Sequence, residues 1–199
     1  MKATTLFALF IALFLLGCGE PLSDSTTSNK LPKSLPKTES YNSIDLDDTE
    51  TLDETIAKAI DKDNLQKRGK KGEELLYAPN EQTPYTGWAK SMHGNGQIRD
   101  LVKMRDGKKD GLAKTWFENG QQGEGNFKDG KQDGVWTLWN ENRQKKWEIN
   151  YKDGKLDGIW TLWNRNGQKK REINYENGQR EWQKDFKDGE QLGETKYFD

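Results

Sequence analysis

The sequence predicts an all-β chain: an antiparallel β-meander of stacked hairpin repeats, preceded by a signal peptide, a disordered tether and one short α-helix. Three observations carry this expectation. Related stretches begin at Gly87, Gly111, Gly134 and Gly158, a spacing of 23 or 24 residues, and a fixed period of this kind means stacked copies of one supersecondary unit. Within each copy, runs rich in Trp, Thr, Ile, Val and Tyr alternate with Asn-Gly or Asp-Gly, dipeptides that tolerate the positive φ of tight hairpin turns. The composition of the 199 residues, 33% charged and 31% hydrophobic, argues against a large enzyme with a thick core.

The N-terminus reads as an address. Met1-Lys2 gives a short positive region, and Leu6 to Leu16 is an unbroken apolar run. That run fits the hydrophobic segment of a signal peptide and is too short for a bilayer, which needs about 20 residues. Leu15-Leu16-Gly17-Cys18 follows, with the chain's one cysteine directly after the apolar run. This resembles the lipobox of bacterial lipoproteins. The resemblance implies cleavage before Cys18, diacylglycerol on its sulfur and acylation of its freed amine. Several acyl chains, at about 0.8 kcal/mol per buried methylene, would hold the protein on a membrane. Gly19 in place of Asp points, by the same resemblance, to the outer membrane of the cell envelope.

Four segments follow from these signals: 1–17 as signal peptide, 18–50 as tether, 51–66 as helix and connector, and 67–199 as the repeat domain. The tether is rich in Ser, Thr, Pro, Lys and Asp, and Tyr41 is its one aromatic residue. It cannot bury enough apolar area to offset its ordering entropy. Between Glu20 and Gln66 eleven acidic residues face five basic ones, a net of −6 that serves solubility. Thr51 to about Asp63 reads as a helix, with Leu52, Ile56 and Ile60 on one stripe and Thr51 or Asp53 as its cap. So short a helix is marginal alone, so its stripe should dock on the repeat domain. Gln66 to Glu74 reads as a basic connector, and Tyr77 to Tyr85 as the lead-in to the sheet.

Each copy should hold two strands, about ten in all, with turns at Asn95-Gly96, Asp106-Gly107, Asn119-Gly120, Asp129-Gly130, Asp153-Gly154, Asn166-Gly167 and Asn177-Gly178. A truncated fifth copy turns at Asp188-Gly189. Register follows by arithmetic. If Asp153-Gly154 is a two-residue loop, Lys152 pairs with Lys155 and Trp147 faces Trp160. If Asn166-Gly167 is another, Leu162 faces Arg171 and Trp160 faces Ile173. One side then carries Trp147, Ile149, Tyr151, Trp160, Leu162, Ile173 and Tyr175. The other carries Trp139, Glu148, Asn150, Thr161, Trp163, Glu172 and Asn174. Two departures stand out. The copy at Gly111 is one residue short before Phe127, which predicts a bulge or altered turn near Gly123 to Gly125. Arg143 stands where other copies have Gly, so that turn should depart from the shared geometry.

The pattern Gly-x-x-x-x-Trp-x-x-Asn-Gly-Gln, then an aromatic, Asp-Gly-Lys and Gly, resembles the variant MORN repeat of bacteria from Gly87 to the C-terminus. Tyr77-Ala78-Pro79-Asn80 with Pro84-Tyr85-Thr86-Gly87 looks like the lead-in of the same group. Many such chains are labelled YwqK-like antitoxins of toxin–antitoxin systems. The resemblance implies a MORN-like β-sheet and an antitoxin or immunity role, although one scaffold hosts many functions.

Site candidates are few. Trp116, Trp139 and Trp163 fall on alternate strands, about 9.5 Å between neighbours. Such a row can pack under the helix or line a curled sheet, anchor a protein partner, or stack on sugar rings. The pairs Asp106/Asp110, Asp129/Asp133 and Asp153/Asp157 suggest calcium, yet Asp-Gly turn chemistry accounts for them without an ion. Glu124, Glu148 and Glu172 form a row best explained by cross-strand pairing with Lys146, Lys170 and neighbouring Asn residues. His93, the one histidine, sits beside a turn and should be exposed. One cysteine rules out an internal disulfide framework and a Cys-based zinc site, and a single histidine argues against a His-cluster metal site or a Ser-His-Asp triad. From Gly87 onward 22 basic residues face 19 acidic ones, a net of +3 that gives no basis for nucleic-acid binding. The expectation is a non-enzymatic, lipid-anchored interaction module without cofactor or metal, its partner a protein or, alternatively, cell-wall glycan.

Overall fold

Residues 45–198 are described by the computed structural model. The apolar leader, Cys18 and the tether through residue 44 lie outside them. The elements run α1 (Thr49–Lys58), β1 (Ile60–Asp61), a 3-10 turn (Lys62–Asn64), β2 (Gln66–Arg68), β3 (Leu75–Tyr77), β4 (Gly87–Met92), β5 (Ile98–Arg105), β6 (Lys108–Trp116), β7 (Gln122–Lys128), β8 (Lys131–Trp139), β9 (Lys145–Lys152), β10 (Lys155–Leu156), β11 (Gly158–Trp163), β12 (Lys169–Glu176), β13 (Gln179–Lys187) and β14 (Glu190–Tyr197). Strands β4 to β14 form one antiparallel meander, β1 joins it parallel to β4, and β10 pairs with β9. Since β10 and β11 are two pieces of one interrupted strand, the meander has the expected ten runs. The predicted connector and lead-in instead contribute a separate hairpin, β2 against β3.

Two turn types alternate. Asp-Gly and Asn-Gly pairs such as Asp153 (φ 50) and Gly154 (φ 81) both take positive φ, the two-residue type I′ turn whose twist suits a hairpin. The opposite turns have three-residue loops instead of the two expected. Asn164 N–H donates to the Gln168 carbonyl at 2.8 Å and Gly167 N–H to the Asn164 carbonyl at 3.0 Å. A one-residue irregularity between Leu162 and Trp163 then compensates, so Leu162 still faces Arg171 and Trp160 still faces Ile173.

The Asp153-Gly154 register needs correction. Lys155 does pair with Lys152, but Trp147 lies opposite Leu162 and not Trp160. The strand breaks at Asp157, whose N–H donates to the Asn150 carbonyl at 3.0 Å, and Gly158 takes φ 103. This bulge slips the register by two residues, an even number, so the expected faces survive. Equivalent slips occur where β6 leaves β5 and where β8 leaves β7.

The short copy meets its expectation on one side only: β7 shifts register against β8 between Glu124 and Asn126, within the predicted stretch, but not against β6. The β6–β7 ladder runs without irregularity from Gly111–Phe127 to Trp116–Gln122. Its sister ladders carry a one-residue irregularity beside the three-residue turn. The missing residue therefore removes a bulge. Arg143 likewise keeps the shared turn: its N–H donates to the Asn140 carbonyl at 2.9 Å, with φ 62.

Helix α1 begins earlier and ends sooner than expected. Asp48, not Thr51 or Asp53, is the cap, accepting from Thr51 N–H at 2.8 Å. Leu46, within the expected tether, is only 3% exposed. Ile60 leaves the helical stripe because it pairs with Ala89 in the sheet. The helix does dock: Leu52 and Ile56 pack with Leu46, Ala59, Leu101, Trp88, Leu112 and Trp116 on the back of the sheet. Lys90 Nζ donates to the Ile56 carbonyl at 2.8 Å, clamping the helix near its C-terminal end. On the front, Leu76 of β3, Leu65 and Tyr85 pack over Ala89, Val102, Met104 and Ala113.

From β8 onward only neighbouring strands make substantial contact among the described elements. Front-face aromatics there support one another: Trp136 meets Phe127 edge-on at 5.1 Å and Tyr151 at 6.4 Å, and Trp160 meets Tyr175 at 6.4 Å. A register shift in β12–β13 brings Gln183 opposite Ile173 and Trp182 opposite Asn174, which ends the apolar front at β12.

Candidate functional site

The three candidate tryptophans share the back face but not one environment. Trp116 belongs to the cluster under α1. It lies opposite Gln122, which in turn lies opposite Trp139. Trp163 stands further out, beyond the helix-packed cluster, with Lys145 Nζ 5.7 Å from its ring centre. The row is thus split between core packing and an open face.

Between the start of α1 and strands β6 to β8 lies a cleft of about 760 Å³. Trp116 and Trp139 line it, Leu52 borders it from the helix, and Asp47, Lys114, Glu124, Glu141 and Arg143 contribute its charges. Lys114 Nζ sits 2.5 Å from Asp47 and 3.0 Å from Glu124, its side chain 11% exposed. Burial disfavours its ammonium, but the two carboxylates outweigh that and hold its pKa above the usual lysine range. Sequence reasoning missed this cleft because Asp47 and Leu46 lay in the expected tether.

Arg143 is the other residue that sequence reasoning placed without assigning a role. Among the described residues, every other non-glycine with positive φ is Asn or Asp, side chains that tolerate the left-handed region. An arginine there costs about 1–2 kcal/mol relative to ordinary helical backbone. Gly96, Gly120 and Gly167 hold the same place in the sister turns.

The remaining candidates resolve structurally. Glu124 pairs with Lys114, Glu148 with Lys145 and Glu172 with Lys169, not with Lys146 and Lys170 as expected. The irregularity beside each turn puts Lys145 opposite Trp139 and Lys169 opposite Trp163, on the glutamate face. The second Asp of the repeated pairs joins successive turns: Asp110 accepts from Asp129 N–H at 3.3 Å and Asp157 from Asn177 N–H at 3.4 Å. Among the described residues no group of three or more His, Cys, Asp or Glu could hold a metal ion. The turn glycines serve the same stacking, with Gly130 N–H donating to the Lys109 carbonyl at 2.8 Å and Gly154 N–H to that of Gln132 at 2.9 Å.

His93 is not exposed. Its side chain is 13% accessible, with Nε2 2.7 Å from the Trp116 carbonyl and Nδ1 3.6 Å from Glu118. It ties the first turn to the second. Val135 and Ile159 went unremarked in the sequence yet stand 48% and 40% exposed on the back face, at the repeat position where Trp88 and Leu112 meet the helix. Compared with known protein families and with curated proteins, the chain matches none.

Proposed function

We propose that this chain is a non-enzymatic protein-interaction module of the bacterial cell envelope, anchored through acylated Cys18 and related to the variant MORN, YwqK-like antitoxins. The observation that carries the reading is the front of β9 to β12. Trp147, Trp160 and Leu162 lie there half-buried on a sheet that no second layer covers among the described elements. A contiguous apolar area of this kind suits a partner protein.

The test is a photo-activated cross-linker placed at Leu162 on the front or at Ile159 on the back of the full chain in the bacterium. The front probe should capture one discrete protein that the back probe does not; no capture at Leu162 overturns the reading. For the anchor, Cys18→Ala should abolish acyl-chain labelling and membrane retention. A second reading, glycan binding, is favoured by Trp139 and Trp163 standing among Glu148, Thr161 and Asn150 on the back face, the side-chain types that grip sugar rings and hydroxyls.

A further inference from the structure

The geometry points to the cleft between Trp116 and Trp139 as the site of an uncharged sugar, with Arg143 as the residue that reads it; this rests on the glycan reading. The first argument is an anomaly. The Asn140–Gln144 turn closes with the same hydrogen bonds as the Asn164–Gln168 turn, which has Gly in the strained position. The backbone therefore gains nothing from arginine there, and strain retained without structural benefit marks a functional position. Among the described residues the Arg143 side chain has no hydrogen bond or ion pair.

The second argument is location. Of the four sister turns two border the cleft, one through Gly120 and the other through Asn140, Glu141 and Arg143, so the arginine stands in a turn that lines it. The Gly167 turn, one copy further on, is not among the residues that border it. The anomaly and the cleft coincide.

The third argument is chemistry. Indoles offer flat apolar faces for the C–H side of a pyranose ring. A guanidinium fork can hold two adjacent hydroxyls or an acetyl carbonyl. Lys114 is already bonded to Asp47 and Glu124, which leaves carboxylate oxygens free to accept hydroxyl hydrogens. Three carboxylates, Asp47, Glu124 and Glu141, against Lys114 and Arg143 disfavour a phosphate or other anion. The volume lies within the range of small-molecule sites.

The experiment is calorimetric titration of the full chain with β-1,4-linked tetramers of N-acetylglucosamine and of glucose, alongside thermal unfolding. One tetramer should bind. Arg143→Gly should weaken binding at least tenfold while raising Tm by about 2–4 °C, since relief of strain stabilises the turn. Trp139→Ala should abolish binding, and Trp163→Ala should leave it unchanged. Binding by neither tetramer removes the glycan reading and this site with it. Binding lost in Trp163→Ala but kept in Arg143→Gly leaves the glycan reading standing on the open row and overturns the cleft. A lower Tm in Arg143→Gly makes the arginine a structural residue and also overturns it.

Discussion

Strands β4 to β7 and strands β8 to β14 are built from the same repeat, yet the first group is covered and the second is bare. Helix α1 lies behind the first two copies and the β2–β3 hairpin in front of them. The repeat position after the glycine shows the difference most directly. Trp88 and Leu112 pack in the helix cluster, whereas Val135 and Ile159 are 48% and 40% exposed. Two residues on, Lys90 and Lys114 bond the helix and the residue ahead of it, while Thr137 and Thr161 occupy the same place in the bare copies. Strand formation is thus common to every copy, and the covering layer is written in the departures from the repeat.

The largest effect should separate these regions by core truncation. Leu101 is 0% exposed, between sheet and helix, and Ile149 is 6% exposed on a single-layer face. Leu101→Ala should cost about 3–5 kcal/mol and loosen α1, whereas Ile149→Ala should cost about 2 kcal/mol, because neighbours on an uncovered face can close over the gap. Denaturant unfolding followed by fluorescence and by helical circular dichroism tests both. Equal costs, or a helix signal that survives in Leu101→Ala, would break the distinction.

The boundary between the regions has its own weak point at Gly125 of β7. A Cβ on this residue would lie 2.1 Å from the Trp136 ring, which rests on the glycine and reaches Phe127 and Tyr151. Gly125→Ala should cost about 2 kcal/mol by displacing the indole, with a matching change in Trp fluorescence. Gly130→Ala, where nothing lies within 4 Å, separates crowding from backbone strain, since its φ of 86 leaves strain as the one term. An unshifted fluorescence spectrum in Gly125→Ala would show that the aromatic chain across the boundary is not held by this contact.

Most of the sheet was legible because period and turn dipeptides are local signals. Leu162 opposite Arg171 followed from arithmetic alone, although by cancellation: a loop one residue longer than assumed is offset by an irregularity at Trp163. The slip at Asp157-Gly158 was not legible, since nothing in the sequence distinguishes a repeat-opening glycine from a bulge glycine. Its even size kept the side-chain faces correct all the same. The start of α1 was obscured because Asp48 sits among many acidic residues, any of which could cap. The cleft was obscured for a different reason: it depends on Asp47 and Lys114, 67 positions apart, and no local pattern announces such a contact.

The smallest expected effect compares one carboxylate from each region. Asp100 accepts from Ser91 Oγ at 2.6 Å and Thr115 Oγ1 at 2.8 Å across three covered strands. Burial works against its charge, but these bonds and Arg99 outweigh it and hold its pKa below the usual carboxylate range. Asp185, in the bare region, is also held low; its slight burial is outweighed by Arg171 at 2.5 Å and Gln183 at 2.9 Å. A carboxyl whose folded pKa is depressed adds stability that is fully present above its unfolded pKa, near 4, and is lost as pH falls through the folded value. Asp100→Asn should therefore cost about 1 kcal/mol at pH 7, allowing for partial exposure, and the gap to the parent should close below pH 4. Asp185→Asn should cost less, and raised salt should erase the difference because solvent and ions reach the pair. Unfolding measured at pH 7 and pH 3, each at low and high salt, tests both. A salt-sensitive Asp100, or a salt-resistant Asp185, would mean that the covering layers do not set the local electrostatics of the sheet.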